Sequence, residues 1–167
     1  MNAPVFPPAD VAIPAEFQAC LDAQRAAFVK APDPHRADRL ADLDALRRLI
    51  VENQDQLVSA VNADYGVRSE FETRFAEIFP VLDGIHDAKK RLRRWMKPSR
   101  RRVDLLTSFP GAQNWVIPQP LGVVGVIVPW NFPLMLSFSP LVSILAAGNR
   151  AMVKMSENSA RLAETLI

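Results

Sequence analysis

A long stretch without Asp, Glu, Lys or Arg, from Leu105 to Asn149, constrains the fold of this chain more than any other feature. The rest of the chain is charged in the ordinary way, since the whole sequence holds 20 Lys and Arg and 18 Asp and Glu residues. A stretch of this kind is either the buried core of a domain or a segment that lies in a membrane. Both interpretations are open from composition alone.

The second half of this stretch has the pattern of a βαβ unit. Val123 to Val128 is a run of apolar, mostly β-branched residues, which predicts a buried strand. Pro133 suits the first position of a helix over Leu134 to Ala147, and Gly148 and Asn149 end it. Ala151 to Val153 then predicts a second buried strand. Two strands joined by a helix run parallel, and ligands bind at the carboxyl edge of such sheets.

Polar residues follow each predicted strand, where that edge would lie. Asn131 comes after the first strand, and Lys154, Ser156 and Glu157 come after the second. By pattern alone Asn131 is as well explained as a turn residue as by a function. Lys154 and Glu157, taken alone, are better explained as a solvated lysine and a glutamate in the first turn of a helix.

Residues 15–102 are predicted to be helical, after a loose proline-rich lead-in over residues 1–14. Apolar residues at helical spacing indicate amphipathic helices that end near Tyr65 and Gly66. A capping box of Ser69 and Glu72 should open the next helix, with Pro80 producing a kink. We expect its aromatic stripe to be core, and Cys20 to be a packing residue rather than a nucleophile. The stripe consists of Phe71, Phe75 and Phe79.

Residues 103–119 are predicted to form a β-hairpin. Val103 to Ser108 and Asn114 to Gln119 are strand-like runs on either side of a turn at Phe109 to Ala112. The basic run before it, Lys89 to Arg102, could contact nucleic acid or an anionic membrane, but cations also complement the carbonyl end of a helix. With a net charge of only +2 we favour the second interpretation and predict no nucleic-acid partner. The single cysteine excludes an internal disulfide and suits a reducing compartment, so we expect a cytoplasmic protein.

The motifs from Pro118 onward resemble those of the NAD(P)-dependent aldehyde dehydrogenases, and are most similar to the coniferyl- and fatty-aldehyde branch. They comprise PQPLGVVGVIVPWNFP from Pro118 to Pro133, then Ala147-Gly148-Asn149, and finally Lys154-x-Ser156-Glu157. The resemblance implies an α/β fold with amino-terminal helices, a projecting β-hairpin and the first βαβ unit of a Rossmann-like cofactor domain over residues 120–167. The unit is expected to be incomplete, a truncated part of the family's domain.

The resemblance also implies roles for particular residues. Asn131 matches the family asparagine whose amide stabilises the oxyanion formed during catalysis. Lys154 and Glu157 match the pair that holds the adenine-side ribose, while Ser156 belongs to the same motif and Met155 replaces a proline common there. Val128, Pro129 and Trp130 would line the cofactor cleft. NAD is the expected cofactor, with NADP tolerated, and the hairpin would join a partner subunit in a homodimer or larger assembly.

The implied reaction is oxidation of an aldehyde, coniferyl or another aromatic or aliphatic one, to the carboxylic acid with NAD(P). In the family a cysteine forms a thiohemiacetal and a glutamate activates water, but both lie downstream of the matching segment, so we expect this chain to be inactive alone. The pattern G-x-G-x-x-G and metal-ligand spacings are missing from the sequence. Two alternatives remain at this point. One is a membrane-associated protein that uses residues 121–149, although Pro129, Asn131, Pro133 and Pro140 would interrupt a spanning helix, so we expect no membrane span. The other is an interaction fragment that binds intact subunits through the hairpin.

Overall fold

The computed structural model describes residues 14–104 and 111–167. Its first part is helical, as predicted. The helices are α1 (Ala15–Lys30), α2 (Arg36–Glu52), α3 (Gln54–Tyr65), and a continuous run of α4 (Glu70–Glu72), a π-helical segment (Thr73–Ile78) and α5 (Phe79–Trp95). Gly66 ends α3 with a φ of 78°, a left-handed conformation that suits glycine.

The predicted βαβ unit is confirmed. Strand β3 (Val123–Ile127) leads through α6 (Pro133–Ala146) to β4 (Arg150–Lys154), and a short 3₁₀ helix (Glu157–Ser159) and α7 (Ala160–Thr165) follow. The two strands pair in parallel, in a register that runs from Val123 opposite Arg150 to Ile127 opposite Lys154. Residues 121–149 are therefore divided between a strand, a turn and a helix of 14 residues. In the described ranges no helix has the length and apolar character needed to cross a membrane.

Helix α6 occupies the centre of the main hydrophobic core. Its buried side chains include Leu134, Phe138 and Val142, which belong to the same cluster as apolar side chains of the helical part of the chain. These come from α2, α3 and α5, and include Leu43, Ile50, Leu57, Val61, Ile85 and Leu92. The βαβ unit and the helical segment therefore share one core, because the apolar faces of several helices are buried against α6.

The prediction that both strands are buried holds only for one face of β3, and it is wrong for β4 (Arg150–Lys154), in which no residue is buried and Val153 is exposed. Val126 and Val128 pack with Ile144 of α6, but Ile127 on the opposite face of the sheet is 83% exposed. Successive side chains of a strand point to opposite faces. Because Val123 to Val128 is apolar throughout, it shows no alternation of apolar and polar residues that would have predicted burial on one face only.

Two predictions for the helical segment are wrong. The phenylalanines at 71, 75 and 79 are exposed and stack on one another, with ring centroids 5.7 Å and 6.1 Å apart. Side chains four apart lie on one face of a helix, so the three rings share a face, and this face is turned away from the core. The side of this helical run that faces the core carries Ile78, Val81 and Ile85 instead. Cys20 is also exposed, on a helix without buried residues.

The helix ends differ in detail from the predicted ones. Ser69 makes no side-chain cap, and Glu72 instead pairs with Arg68 at 3.4 Å. The kink at Pro80 stays a prediction; a π-helical segment ends at Ile78, two residues before this proline, which cannot donate to the carbonyl four residues earlier. The hairpin is present as β1 (Ser99–Arg101) antiparallel to β2 (Asn114–Val116). The first strand thus ends before Val103, where the predicted strand was to begin, so the predicted start is wrong, and residues 105–110 of the predicted hairpin lie outside the described ranges.

Candidate functional site

The candidate site lies at the carboxyl edge of the two-stranded sheet. The Val128 N–H donates a hydrogen bond to the Lys154 carbonyl at 2.9 Å, so the pairing of β3 and β4 continues to their last residues. Val128 is buried, whereas Pro129, Trp130 and Asn131 after it are exposed. The structure therefore brings the end of both predicted motifs together at one edge. Open parallel sheets bind ligands at this position.

Asn131 lies in the turn between β3 and α6, and the turn is held by its backbone. The Asn131 carbonyl accepts hydrogen bonds from the Tyr65 hydroxyl at 2.7 Å and from the Arg68 guanidinium at 2.9 Å. The Tyr65 hydroxyl also contacts the Trp130 carbonyl. In the part of the chain that the structure describes, the Asn131 side-chain amide makes no hydrogen bond. Its N–H groups are thus available to an external acceptor.

Glu77 holds the other side of the same turn. Its carboxylate accepts hydrogen bonds from the backbone N–H groups of Leu134 at 2.8 Å and Met135 at 3.2 Å, in the first turn of α6. The N-terminus of α6 needs this partner because the residue before it is Phe132, which offers no side-chain cap, and its first turn holds no acid. A carboxylate there also complements the positive end of the helix dipole.

Arg68 connects these contacts. Its guanidinium lies 3.3 Å from the Glu77 carboxylate, and both side chains are buried. The guanidinium carbon is also 4.7 Å from the ring centre of Tyr65 and 4.6 Å from that of Phe132, so it is placed between two aromatic faces. Tyr65, Arg68 and Glu77 therefore form one connected unit against the Asn131 turn.

Burial changes the acid–base properties of this unit. It raises the pKa of the Glu77 carboxyl above its ordinary 4.5, while the Met135 N–H, Arg68 and the Leu134 N–H act in the opposite direction. Burial likewise raises the pKa of the Tyr65 phenol above 10.0, against the effect of Arg68. The Tyr65 hydroxyl is therefore protonated at neutral pH and can donate to the two carbonyls.

Lys154, the last residue of β4, forms an ion pair with Glu157 just after the strand, and both side chains are largely exposed. The hydrogen bond from Lys154 lowers the pKa of Glu157, so this carboxylate is charged at neutral pH. Ser156 lies between them, and its hydroxyl accepts a hydrogen bond from the Asn158 N–H at 3.2 Å, which fixes the start of the 3₁₀ helix. Exposed ion pairs contribute little to stability, so both groups can exchange this contact for a ligand at small cost.

The opposite end of α6 is held from the helical segment as well. The buried Arg39 donates to the Ala146 carbonyl at 3.2 Å, to the Pro34 carbonyl at 2.9 Å and to Asp33 at 2.9 Å. The Asn149 side-chain oxygen accepts from the N–H groups of Leu121 at 2.5 Å and Gly122 at 2.9 Å. These contacts fix where α6 ends and where β3 begins.

The sequence motifs did not reveal Tyr65, Arg68, Glu77 or Arg39. One signal was available: α6 has no charged residue of its own and no capping residue before it. An apolar helix whose end is buried must find polar partners elsewhere in the chain. The pattern indicated that such partners were needed, but not which residues supply them.

Comparisons with known proteins identify the family of this chain. The profile of the aldehyde dehydrogenase family matches residues 8–167. The chain belongs to the aldehyde dehydrogenase family. Among its relatives, a probable coniferyl aldehyde dehydrogenase of Pseudomonas aeruginosa is 51% identical over 144 residues, which cover 86% of this chain and 30% of the relative. A coniferyl aldehyde dehydrogenase of a Pseudomonas species is 40% identical over 155 residues, 90% of this chain and 31% of that protein.

A solved structure gives the same result for the fold. The substrate-bound state of Staphylococcus aureus AldH superposes with a TM-score of 0.80 at 30% sequence identity, and the match covers 93% of this chain and 34% of that one. The predicted family and fold class are thereby confirmed. This chain spans about a third of the length of the aldehyde dehydrogenases it matches.

Proposed function

We propose that this chain supplies part of the active site of an NAD(P)-dependent aldehyde dehydrogenase that oxidises an aldehyde to the carboxylic acid. The observation that carries the proposal is the state of Asn131: its turn is fixed through backbone carbonyls, while its side chain is exposed and its amide makes no hydrogen bond with the described residues. A donor with these properties suits an oxyanion that forms only during the reaction. The aldehyde is proposed to be coniferyl aldehyde or a similar aromatic or aliphatic one, from the names of the Pseudomonas relatives.

The role proposed for Asn131 follows from the chemistry of its amide. When a nucleophile attacks an aldehyde carbonyl, the oxygen becomes negatively charged and needs donors at the position that it then occupies. An amide N–H donates a hydrogen bond without giving up a proton, so it supports the charge at any ordinary pH. The nucleophilic cysteine and the water-activating glutamate of the family lie downstream of the matched segment. We therefore expect the 167-residue chain alone not to oxidise aldehydes.

The groups at the sheet edge fit a nucleotide cofactor, which would accept the hydride when bound. Lys154 and Glu157 offer an ammonium and a carboxylate side by side at the end of β4. Such a pair can donate to and accept from the hydroxyls of a ribose, while Ser156 fixes the backbone between them. Val128, Pro129 and Trp130 are proposed to line the cleft, and NAD is the proposed cofactor with NADP tolerated.

The hairpin is proposed to act as an assembly arm over residues 103–119, in a homodimer or larger oligomer. On β2 the Trp115 and Val116 side chains are exposed, as is Ile117 after it, and apolar side chains on a two-stranded sheet favour a further partner. A cytoplasmic location stays a prediction from the composition.

The experiment that tests the proposed function uses a chimaera in which residues 1–167 replace the matching segment of the 51% identical P. aeruginosa relative. Asn131→Ala should lower kcat about 10²- to 10³-fold, the usual cost of losing one oxyanion donor, with KM for the cofactor almost unchanged. Asn131→Asp is the matched variant, because aspartate is an equally good turn residue but would present negative charge to the oxyanion. Full turnover of Asn131→Asp would mean that Asn131 only shapes the turn.

A further inference from the structure

The segment that carries Asn131 is held at four backbone positions by side chains more than 50 residues earlier in the chain. Tyr65 and Arg68 donate to the carbonyls of Trp130 and Asn131, and Glu77 accepts from the N–H groups of Leu134 and Met135. Each contact therefore joins a side-chain donor to a backbone carbonyl, or a side-chain carboxylate to a backbone N–H group. All of these contacts are to the backbone, so they fix the path of the turn whatever side chains it carries.

The burial of this unit makes its geometry specific. Glu77 is fully buried and Arg68 is 7% exposed, so neither charge is screened by water. The Nε of Arg68 has no hydrogen-bond partner in the described structure. The guanidinium thus makes its contacts through the planar end, toward Asn131, Glu77 and Glu72, and through its two aromatic neighbours. A side chain with less definite geometry, such as lysine, could not satisfy all of these contacts at once.

We propose that Tyr65, Arg68 and Glu77 are positioning residues for Asn131, and that they act on the reaction by fixing the turn from which its amide points. The proposal rests on the oxyanion role given to Asn131 above. A hydrogen-bond donor stabilises developing charge only if it is already aimed at the place where the charge appears, and an exposed turn residue is not held in place by its own side chain. The fixed carbonyls supply the constraint that the Asn131 side chain lacks.

The alternative is that the unit only stabilises the fold, and Arg39 provides the matched control. Arg39 is also a buried arginine, and it also holds a backbone carbonyl at an end of α6, but at the opposite end from Asn131. Arg39→Lys and Arg68→Lys should therefore both destabilise the protein. Only Arg68→Lys should impair turnover per folded molecule.

The test is a double-mutant cycle in the full-length chimaera, with kcat and cofactor KM measured for each variant. Arg68→Lys should lower kcat about 10- to 100-fold, the range expected when a catalytic group is slightly misplaced, with the cofactor KM little changed. In the Asn131→Ala background the same substitution should lower kcat by less than about twofold, because the group that Arg68 positions is no longer there. If Arg68→Lys proves too unstable, Tyr65→Phe removes only the hydroxyl that contacts the two carbonyls, and should lower kcat about three- to tenfold.

A second measurement reports the turn itself. Hydrogen exchange at the Leu134 and Met135 amides should be faster in Tyr65→Phe and Arg68→Lys, and unchanged in Arg39→Lys. An equal loss of kcat from Arg68→Lys with and without Asn131 would overturn the positioning role while leaving the function of Asn131 intact. If instead Asn131→Ala itself kept full turnover, the proposed oxyanion function would fail first. The cycle therefore separates the two failures.

Discussion

The helical segment and the βαβ unit use their polar residues in opposite ways. In the helical segment the polar groups that matter, Arg39, Arg68 and Glu77, are buried and directed at the backbone of the βαβ unit. In the βαβ unit the residues proposed to act on ligands, Asn131, Lys154 and Glu157, are exposed. The helical segment thus fixes the backbone of the βαβ unit. The βαβ unit, which is held in this way, carries the groups that we propose contact a substrate or cofactor.

This difference gives α6 a special position between the two regions. It has no charges of its own, yet a carboxylate lies at its N-terminus and a guanidinium at its C-terminus, both supplied by the helical segment. These are the signs that complement the helix dipole. A carboxylate of the helical segment also lies at the N-terminus of α7, where Asp64 accepts hydrogen bonds from the N–H groups of Arg161 at 2.9 Å and Leu162 at 3.1 Å.

The largest effect is expected from Gly148→Ala, which breaks the contact at the C-terminus of α6. Gly148 has a φ of 81°, and a Cβ there would lie 2.8 Å from the Arg39 guanidinium carbon. Arg39 cannot easily move, since three acceptors hold it. We expect a loss of roughly 2–4 kcal/mol in the free energy of unfolding of the 167-residue chain, measured by urea denaturation, from backbone strain and crowding together.

Two variants check the cause of that loss. Gly84 lies within α5 with nothing within 4 Å of its Cβ position, so Gly84→Ala should instead stabilise the chain by about 0.5–1 kcal/mol. In an Arg39→Met background Gly148→Ala should cost less, because only the strained φ remains. An undiminished cost in that background would show that Arg39 is not the obstacle.

The sequence predicted the βαβ unit but not the contacts by which the helical segment holds it. The βαβ unit was predicted because its signals are local: a β-branched run, a proline at the start of a helix and a glycine at its end. The contacts of Tyr65 and Arg68 with the Asn131 turn were not predicted, because these residues lie 66 and 63 positions from the carbonyl that they bind. The exposed phenylalanines at 71, 75 and 79 were assigned to the core because apolar side chains at helical spacing usually face it. The same helical run also carries Ile78, Val81 and Ile85, which are buried, and spacing alone did not show which of the two apolar faces packs on the core.

Glu77 and Glu157 are carboxylates whose pKa values are shifted in opposite directions. The folded-state pKa of Glu77 is raised above its ordinary 4.5 by burial, so its contribution to stability is present below pH 4.5 and is lost as the pH rises through the raised value. Its neighbours Arg68, Glu72 and the two N–H donors of α6 are unchanged by Glu77→Gln. The free energy of unfolding of the wild type should therefore fall relative to that of Glu77→Gln as the pH rises above 4.5, measured by urea titrations across the pH range.

Glu157→Gln supplies the control of opposite sign. The pKa of Glu157 is lowered by its hydrogen bond from Lys154, so its contribution is present above pH 4.5 and is lost as the pH falls through the lowered value. Because this pair is exposed, the change should be much smaller than for Glu77. A pH dependence for Glu77→Gln that ran in the same direction as that of Glu157→Gln would mean that its neighbours outweigh the effect of burial.

The smallest effect is expected from Glu157→Gln on the choice of cofactor, and it tests whether the exposed pair is there for a ligand. A carboxylate accepts hydrogen bonds from free ribose hydroxyls but repels a 2′-phosphate, so Glu157 should favour NAD over NADP. Lys154 acts the other way, because an ammonium can donate to a hydroxyl or to a phosphate. The carboxylate is also free to turn toward solvent, which limits the preference. We therefore expect the ratio of kcat/KM for NAD and NADP in the chimaera to narrow by only a few fold in Glu157→Gln, while the free energy of unfolding stays almost constant. Asn158→Ala serves as the control, since Asn158 is adjacent and exposed but uncharged. An unchanged cofactor ratio would mean that Glu157 does not face the ribose, and the exposed pair would then have no assigned ligand.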